Sequence, residues 1–369
     1  MDIKSIKKSI DKKITNIRRK FGYLPELSRP YTEPKRTYKK LILVTGFFYS
    51  GSGAVVDLLR EFNNITAICK PDKESGTQLK KSKQQEVDFF RDYAGVLDLE
   101  SAFEDFYPYS QDLKLKSFIT ISEYHYRKGG IYTDKFMQLT WDFINELVEY
   151  KKTLQHIPAG GRAFAMKESF LLNFKNLASP FVFKPEKGNV VYFLKNLSVK
   201  EYREIAKKYV TSVLKTINSK EILLLDQMIS NGCTDIDKLE DYLGKFKNLA
   251  VYRDPRDVYT QAIQSNLKFM PHDVKIFTNW YRSYVEPYTK LQHEDFMLLR
   301  FEDVILNLED TKKKILEFTN IDESHHTKPK SCLQTEVSRQ NIGLYKTFED
   351  QDAIKYIEEN LSEYCYNQD

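Results

Sequence analysis

The chain has 369 residues, 41% apolar and 30% charged, which at about 150 residues per domain fits two domains or one large α/β domain with an insertion. These proportions exclude a disordered chain, a collagen-like repeat and a small disulfide scaffold, and no apolar run approaches the ~20 residues of a membrane-spanning helix. The net charge of +5 is concentrated in one place: residues 1–20 hold eight Lys or Arg against two Asp, while the remaining 349 residues hold 49 basic and 50 acidic side chains.

A nucleic-acid binder would spread that excess over a folded face, so nucleic acid is not an expected partner. Ile3, Ile6, Ile10, Ile14, Ile17 and Phe21 recur at three- and four-residue steps, making the start a basic amphipathic helix. Through residues 1–21 it can pack on its own domain, join a second copy as a homo-oligomer, or bind peripherally to an anionic membrane face. The start lacks the apolar core of a secretory signal, so a cytoplasmic location is expected, at most peripheral at the inner face of the membrane. Cys69, Cys233, Cys332 and Cys365 show no CxxC pair and no zinc spacing, and read as reduced thiols.

Residues 24–40 contain three prolines and no period, and form a linker. LILV (41–44) is a continuously apolar, β-prone run, the pattern of a buried parallel strand. It leads through TGFFYSGSG into the amphipathic helix AVVDLLREF (54–62). Val190–Leu194, Ile222–Leu225, Leu249–Tyr252 and Met297–Leu299 are runs of the same kind with helical patterns between them. Strands alternating with helices predict an α/β fold, a mostly parallel sheet flanked by helices. Residues 126–220 read as a helical insertion. Asp134–Tyr150 has helical spacing, and Ser198 with Glu201 forms a capping box that opens a further helix. Lys184–Lys220 carries nine basic and three acidic residues, a solvated face or an attractor for an anionic acceptor. No internal repeat is visible.

The strongest local signal is strand, glycine-rich turn and helix in immediate succession. In GFFYSGSG (46–53), Gly51, Ser52 and Gly53 leave backbone N–H groups converging at a helix N-terminus, and Ser50 and Ser52 offer hydroxyls. That is a cradle for phosphate or sulfate. It is not a triphosphatase loop: Ser52 stands where the Lys is required and Gly53 where the magnesium-binding hydroxyl is required. It is not the dinucleotide fingerprint either, since Val56 occupies the third glycine position. A second anion site is expected at LAVYRDPRDVYTQAIQS (249–265), where Arg253 ends a strand beside a helix start.

In these segments the chain resembles the sulfotransferases that use 3′-phosphoadenosine-5′-phosphosulfate (PAPS), in particular a bacterial branch with carbohydrate-type enzymes nearest. The resemblance covers about 41–125 and 220–369. GFFYSGSGAVVDLL resembles the 5′-phosphosulfate loop and VYRDPRDVY the 3′-phosphate segment. LLRFEDVILNLEDTKKKILEFTNI with SRQNIGLYKTF resembles the final strand, helix and cofactor-closing loop. It implies a P-loop-like sulfotransferase fold over 41–369, with 126–220 as the acceptor-binding insertion.

It also implies roles. Ser50, Gly51, Ser52, Gly53 and Ala54 would hold the 5′ end of PAPS, and Arg253 and Arg339 its 3′-phosphate. Gln261 stands where the family commonly has serine, with Thr260 before it, and either could donate a hydrogen bond; Gly343 and Lys346 belong to the closing loop. Tyr49 replaces the lysine that stabilises the bridging oxygen in the family. It brings no charge, so Lys167, Arg91 or Lys346 would have to supply one. For the general base the resemblance favours Glu86, then Glu74, then His125. No metal is implied, and the other histidines show no metal spacing. The expected acceptor is a hydroxyl of a glycan or lipid-linked saccharide, with a small hydrophobic alcohol such as a sterol or phenol as the alternative. A nucleotide kinase with a degenerate loop and an inactive nucleotide-binding module are the other classes the loop allows.

Overall fold

The computed structural model describes residues 34–68, 89–104, 107–128, 132–154, 189–226, 236–266 and 270–367. The basic leader 1–21 and the start of the linker lie outside them. Two compact units are present, one made of Gly95–Arg127 and Tyr132–Tyr202, the other of Glu33–Ala94 and Arg203–Asp369.

The second unit holds a five-stranded parallel sheet among the described residues. Its strands are β1 (Lys40–Gly46), β2 (Ile65–Ile68), β5 (Ile222–Asp226), β6 (Lys247–Tyr252) and β7 (Phe296–Arg300), in the order β2-β5-β1-β6-β7. The strands read as unbroken apolar runs because both faces are covered. Ile42 and Val44 of β1, Ile222 and Leu224 of β5, and Leu249 and Val251 of β6 share one face. They pack there on Val55, Leu58 and Leu59 of helix Ser52–Arg60 and on Val304 and Ile315. A second core joins helices Pro255–Gln264, Val274–Lys290 and Gln351–Asn360 around Phe277 and Tyr281.

Strand order fixes where a ligand can sit. The connection from β1 runs to β2 on one edge, whereas that from β6 runs to β7 on the other. Between the carboxyl ends of β1 and β6 the chain therefore opens a crevice, the topological switch point at which α/β sheets bind ligands.

The first unit departs from the sequence expectation in two places. Val190–Leu194 is not a buried parallel strand. It belongs to β4 (Asn189–Leu194), which pairs antiparallel with β3 (Val148–Leu154) in a separate two-stranded ribbon. Residues 190–193 are only half-buried there, with Tyr150 stacked on Phe193 at 4.4 Å. An apolar run signals a strand, and only the available partner decides its pairing. For the same reason the helix expected to reach Tyr150 stops at Leu147, because pairing with β4 draws Val148 onward into extended backbone. The capping box does form: Ser198 N–H donates to Glu201 Oε2 at 2.8 Å and Glu201 N–H to Ser198 Oγ at 3.3 Å, opening helix Val199–Lys215.

Candidate anion-binding site at the β1–β6 crevice

The loop after β1 is shaped by two residues in the left-handed region, Tyr49 at φ 61° and Gly51 at φ 84°. Ser50 N–H turns back to Phe47 O at 3.0 Å, and Ala54 N–H donates to Gly51 O at 3.0 Å. A Cβ on Gly46 would lie 2.2 Å from Ser50 Oγ and 2.9 Å from Ser52 Cβ, so the loop packs closely on the strand end. The Ser50 hydroxyl thus folds over the strand end, 1% exposed and with no hydrogen-bond partner among the described residues. Helix Ser52–Arg60 starts immediately, so its first N–H groups lack intrahelical acceptors and add partial positive charge.

Arg253 faces this loop from the end of β6. Its guanidinium is 2% exposed and ties three segments together. Nη1 donates to Tyr49 O at 3.2 Å and to Gln261 Oε1 at 2.5 Å, and Nη2 donates to Asn341 O. Nε has no partner, and the side chain makes no ion pair among the described residues. Burial lowers its pKa from the ordinary arginine value, while the charges of Asp257, Glu302 and Asp254 oppose that shift. A buried cation held only by neutral acceptors is costly unless an anion joins it. Thr260 Oγ1 on the adjoining helix is likewise buried and unpartnered. Ser50 Oγ, Thr260 Oγ1 and Arg253 Nε are unused donors, and they fit a phosphate or sulfate group.

The turn that presents Arg253 is clamped from several sides. Asp254 caps helix Pro255–Gln264 by accepting from Arg256 N–H at 2.8 Å. Its own N–H donates to Glu302 Oε1 at 2.9 Å, and Tyr281 Oη donates to Arg253 O at 2.5 Å. Arg256 is structural: it pairs with Asp254 at 2.7 Å and Glu358 at 3.0 Å, and lies over the Tyr345 ring. Asp257 accepts Gly343 N–H at 2.8 Å and Tyr345 N–H at 3.2 Å, which docks the closing segment on the same helix turn. Burial raises the Asp257 pKa, against the pull of Arg253 and the Gly343 N–H.

The structure therefore brings together Tyr49, Ser50, Gly51, Arg253, Gln261 and Gly343. Arg339 and Lys346 are exposed side chains of the closing segment, and neither enters the hydrogen-bonded network around Arg253. His125 is buried in the other unit against Tyr132, with ring centroids 5.2 Å apart. Glu74, Glu86 and Lys167, and the side chain of Arg91, lie outside the described residues. Sequence reasoning missed Asp257, Asn341, Phe301 and Glu302, although RFED after an apolar strand was the signal for the last two. It also missed Asp226, the carboxylate that ends the apolar run ILLL.

Comparison with solved structures finds similarity to sulfotransferases. The sulfotransferase domain of the Synechococcus PCC 7002 olefin synthase matches with TM-score 0.37 and 8% identity, over 92% of this chain and 100% of that one. Sulfotransferase STF9 from Mycobacterium avium matches with TM-score 0.35 and 12% identity, over 95% and 80%. STF1 from Mycobacterium tuberculosis H37Rv matches with TM-score 0.32 and 10% identity, over 83% and 77%. These scores are too low for the likeness to bear on the reaction. No protein-family model and no curated protein matches the chain.

Proposed function

We propose that the protein transfers a sulfuryl group from PAPS to an acceptor hydroxyl. The observation that carries this reading is Arg253: a guanidinium buried at the switch point, bonded to the glycine-rich loop through Tyr49 O, with no direct ion pair to a carboxylate among the described residues. Two anion positions, one on each side of the crevice, suit a nucleotide with separated phosphates. The loop lacks the triphosphatase Lys, which argues against ATP.

In this reading the N–H groups at Gly51–Gly53 and the Ser50 hydroxyl hold the 5′ end, and Arg253 with Thr260 holds the 3′-phosphate. Bound PAPS supplies the activated sulfuryl group. The protein contributes in-line positioning and preorganised donors for the charge that develops on the leaving phosphate. Tyr49 brings no cation; its carbonyl accepts from the Arg253 guanidinium and ties the loop to the second anion position. The acceptor in this proposal is a glycan or lipid-linked saccharide.

The test is calorimetric titration with 3′-phosphoadenosine-5′-phosphate (PAP), the product, without metal. Micromolar binding that disappears in Arg253→Ala, with ATP-magnesium far weaker, is the expected result. No binding, or a preference for ATP-magnesium, would overturn the reading.

A further inference from the structure

β5 lies between β2 and β1, in register with both, and Asp226 is its last residue, opposite Val44 of β1. Side chains alternate along a strand, and Ile222 and Leu224 share a face with Ile42 and Val44. Asp226 therefore continues that face, the one covered by helix Ser52–Arg60. Val44 is followed two residues later, on the same face, by Gly46, against which Ser50 Oγ and Ser52 are packed. From a ~4.8 Å strand spacing and a ~3.3 Å rise, the Asp226 and Gly46 backbones are about 8 Å apart, so the carboxylate and the loop lie on the same face at the same end of the sheet. The strand is buried as far as Leu225 and becomes half-buried at Asp226.

A carboxylate at this point calls for a reason. Aspartate is disfavoured in strands, and here its charge stands beside a loop built to attract anions. Such a group suits a proton to be removed close to that anion.

We propose that Asp226 is the general base of the transfer, an inference that rests on the sulfuryl-transfer reading above. The acceptor oxygen attacks sulfur and forms the new S–O bond as its proton passes to the Asp226 carboxylate. The S–O bond to the 5′-phosphate breaks, and its electron pair stays on the leaving phosphate.

The experiment uses the full chain, radiolabelled PAPS, and three acceptors as probes: a heparosan oligosaccharide, 2-naphthol and water. Asp226→Asn should keep its melting temperature and bind PAP within about threefold of the wild type. Its sulfuryl transfer should fall about 100-fold or more, and the acid limb of its pH–rate profile should vanish. Asp226→Glu should recover part of the rate, which a purely structural role would not give. If Asp226→Asn transfers as fast as the wild type, or loses PAP affinity in step with rate, Asp226 is not the base. Binding abolished by a chelator would make it a metal ligand instead and overturn the proposal. A wild-type protein that fails to bind PAP sinks the underlying reading. One that binds PAP but transfers to none of the three acceptors sinks both the transfer and its base, leaving only a nucleotide site.

Discussion

The ring of Phe301 fills the space that a side chain at Gly51 would need: a Cβ built on Gly51 would lie 2.2 Å from Phe301 Cδ2 and 2.5 Å from Cγ. The same ring lies 5.3 Å from the Arg253 guanidinium carbon, so this single residue, just after β7, spaces both the glycine-rich loop and the Arg253 segment. Gly51→Ala combines a left-handed φ with overpacking, a cost of about 3 kcal/mol. Urea unfolding should show that loss, and PAP affinity should drop with it.

Arg253→Lys tests whether the fork geometry matters or only the charge. One ammonium cannot reproduce bonds to Tyr49 O, Gln261 Oε1 and Asn341 O, so acceptors are left unsatisfied at about 1–3 kcal/mol each. We expect a folded but less stable protein, with PAP binding weakened at least tenfold in calorimetry. Equal affinity for the two proteins would mean that a point charge suffices.

Asp257→Asn replaces one acceptor oxygen by an amide that cannot accept from Gly343 and Tyr345 N–H together. Hydrogen exchange at these two amides should accelerate roughly tenfold or more, the equivalent of about 1–3 kcal/mol. Exchange in the β1 and β5 strands should stay unchanged. Uniform acceleration would indicate global destabilisation instead.

Glu302 is fully buried, and burial pushes its carboxyl from 4.5 up to about 7, with the N–H of Asp254 opposing. Between those pH values the unfolded chain has released a proton that the folded protein still holds. Stability therefore falls as pH rises from about 4.5 to 7 and is flat above, by up to about 3 kcal/mol in all. Glu302→Gln removes that slope: it should match the wild type near pH 5 and exceed its unfolding free energy near pH 8. Parallel curves for the two proteins would show that Glu302 does not titrate there.

Much of the site was legible because its signals are local. LILV, the turn GFFYSGSG and the following amphipathic helix are neighbours in sequence, and so are the strand ending at Arg253 and the helix capped by Asp254. The short β2 strand was invisible, since ITAI has neither length nor alternation to set it apart. Asp257, Asn341 and Glu302 were invisible for another reason. Each hydrogen-bonds a group 48 to 88 residues away, between segments that no sequence period relates.

The sequence alone determined that a glycine-rich loop lies on a strand–helix junction, that it lacks the triphosphatase pattern, and that an arginine closes a second strand. Those conclusions need only local geometry and residue chemistry. Tertiary structure decided that the two segments face each other across one crevice, because only strand order places β1 beside β6. It decided that Arg253 is already bridging three segments, and that Asp226 ends the strand next to the loop. Burial and register are properties of the packed sheet, and they turn residues scattered along the chain into one site.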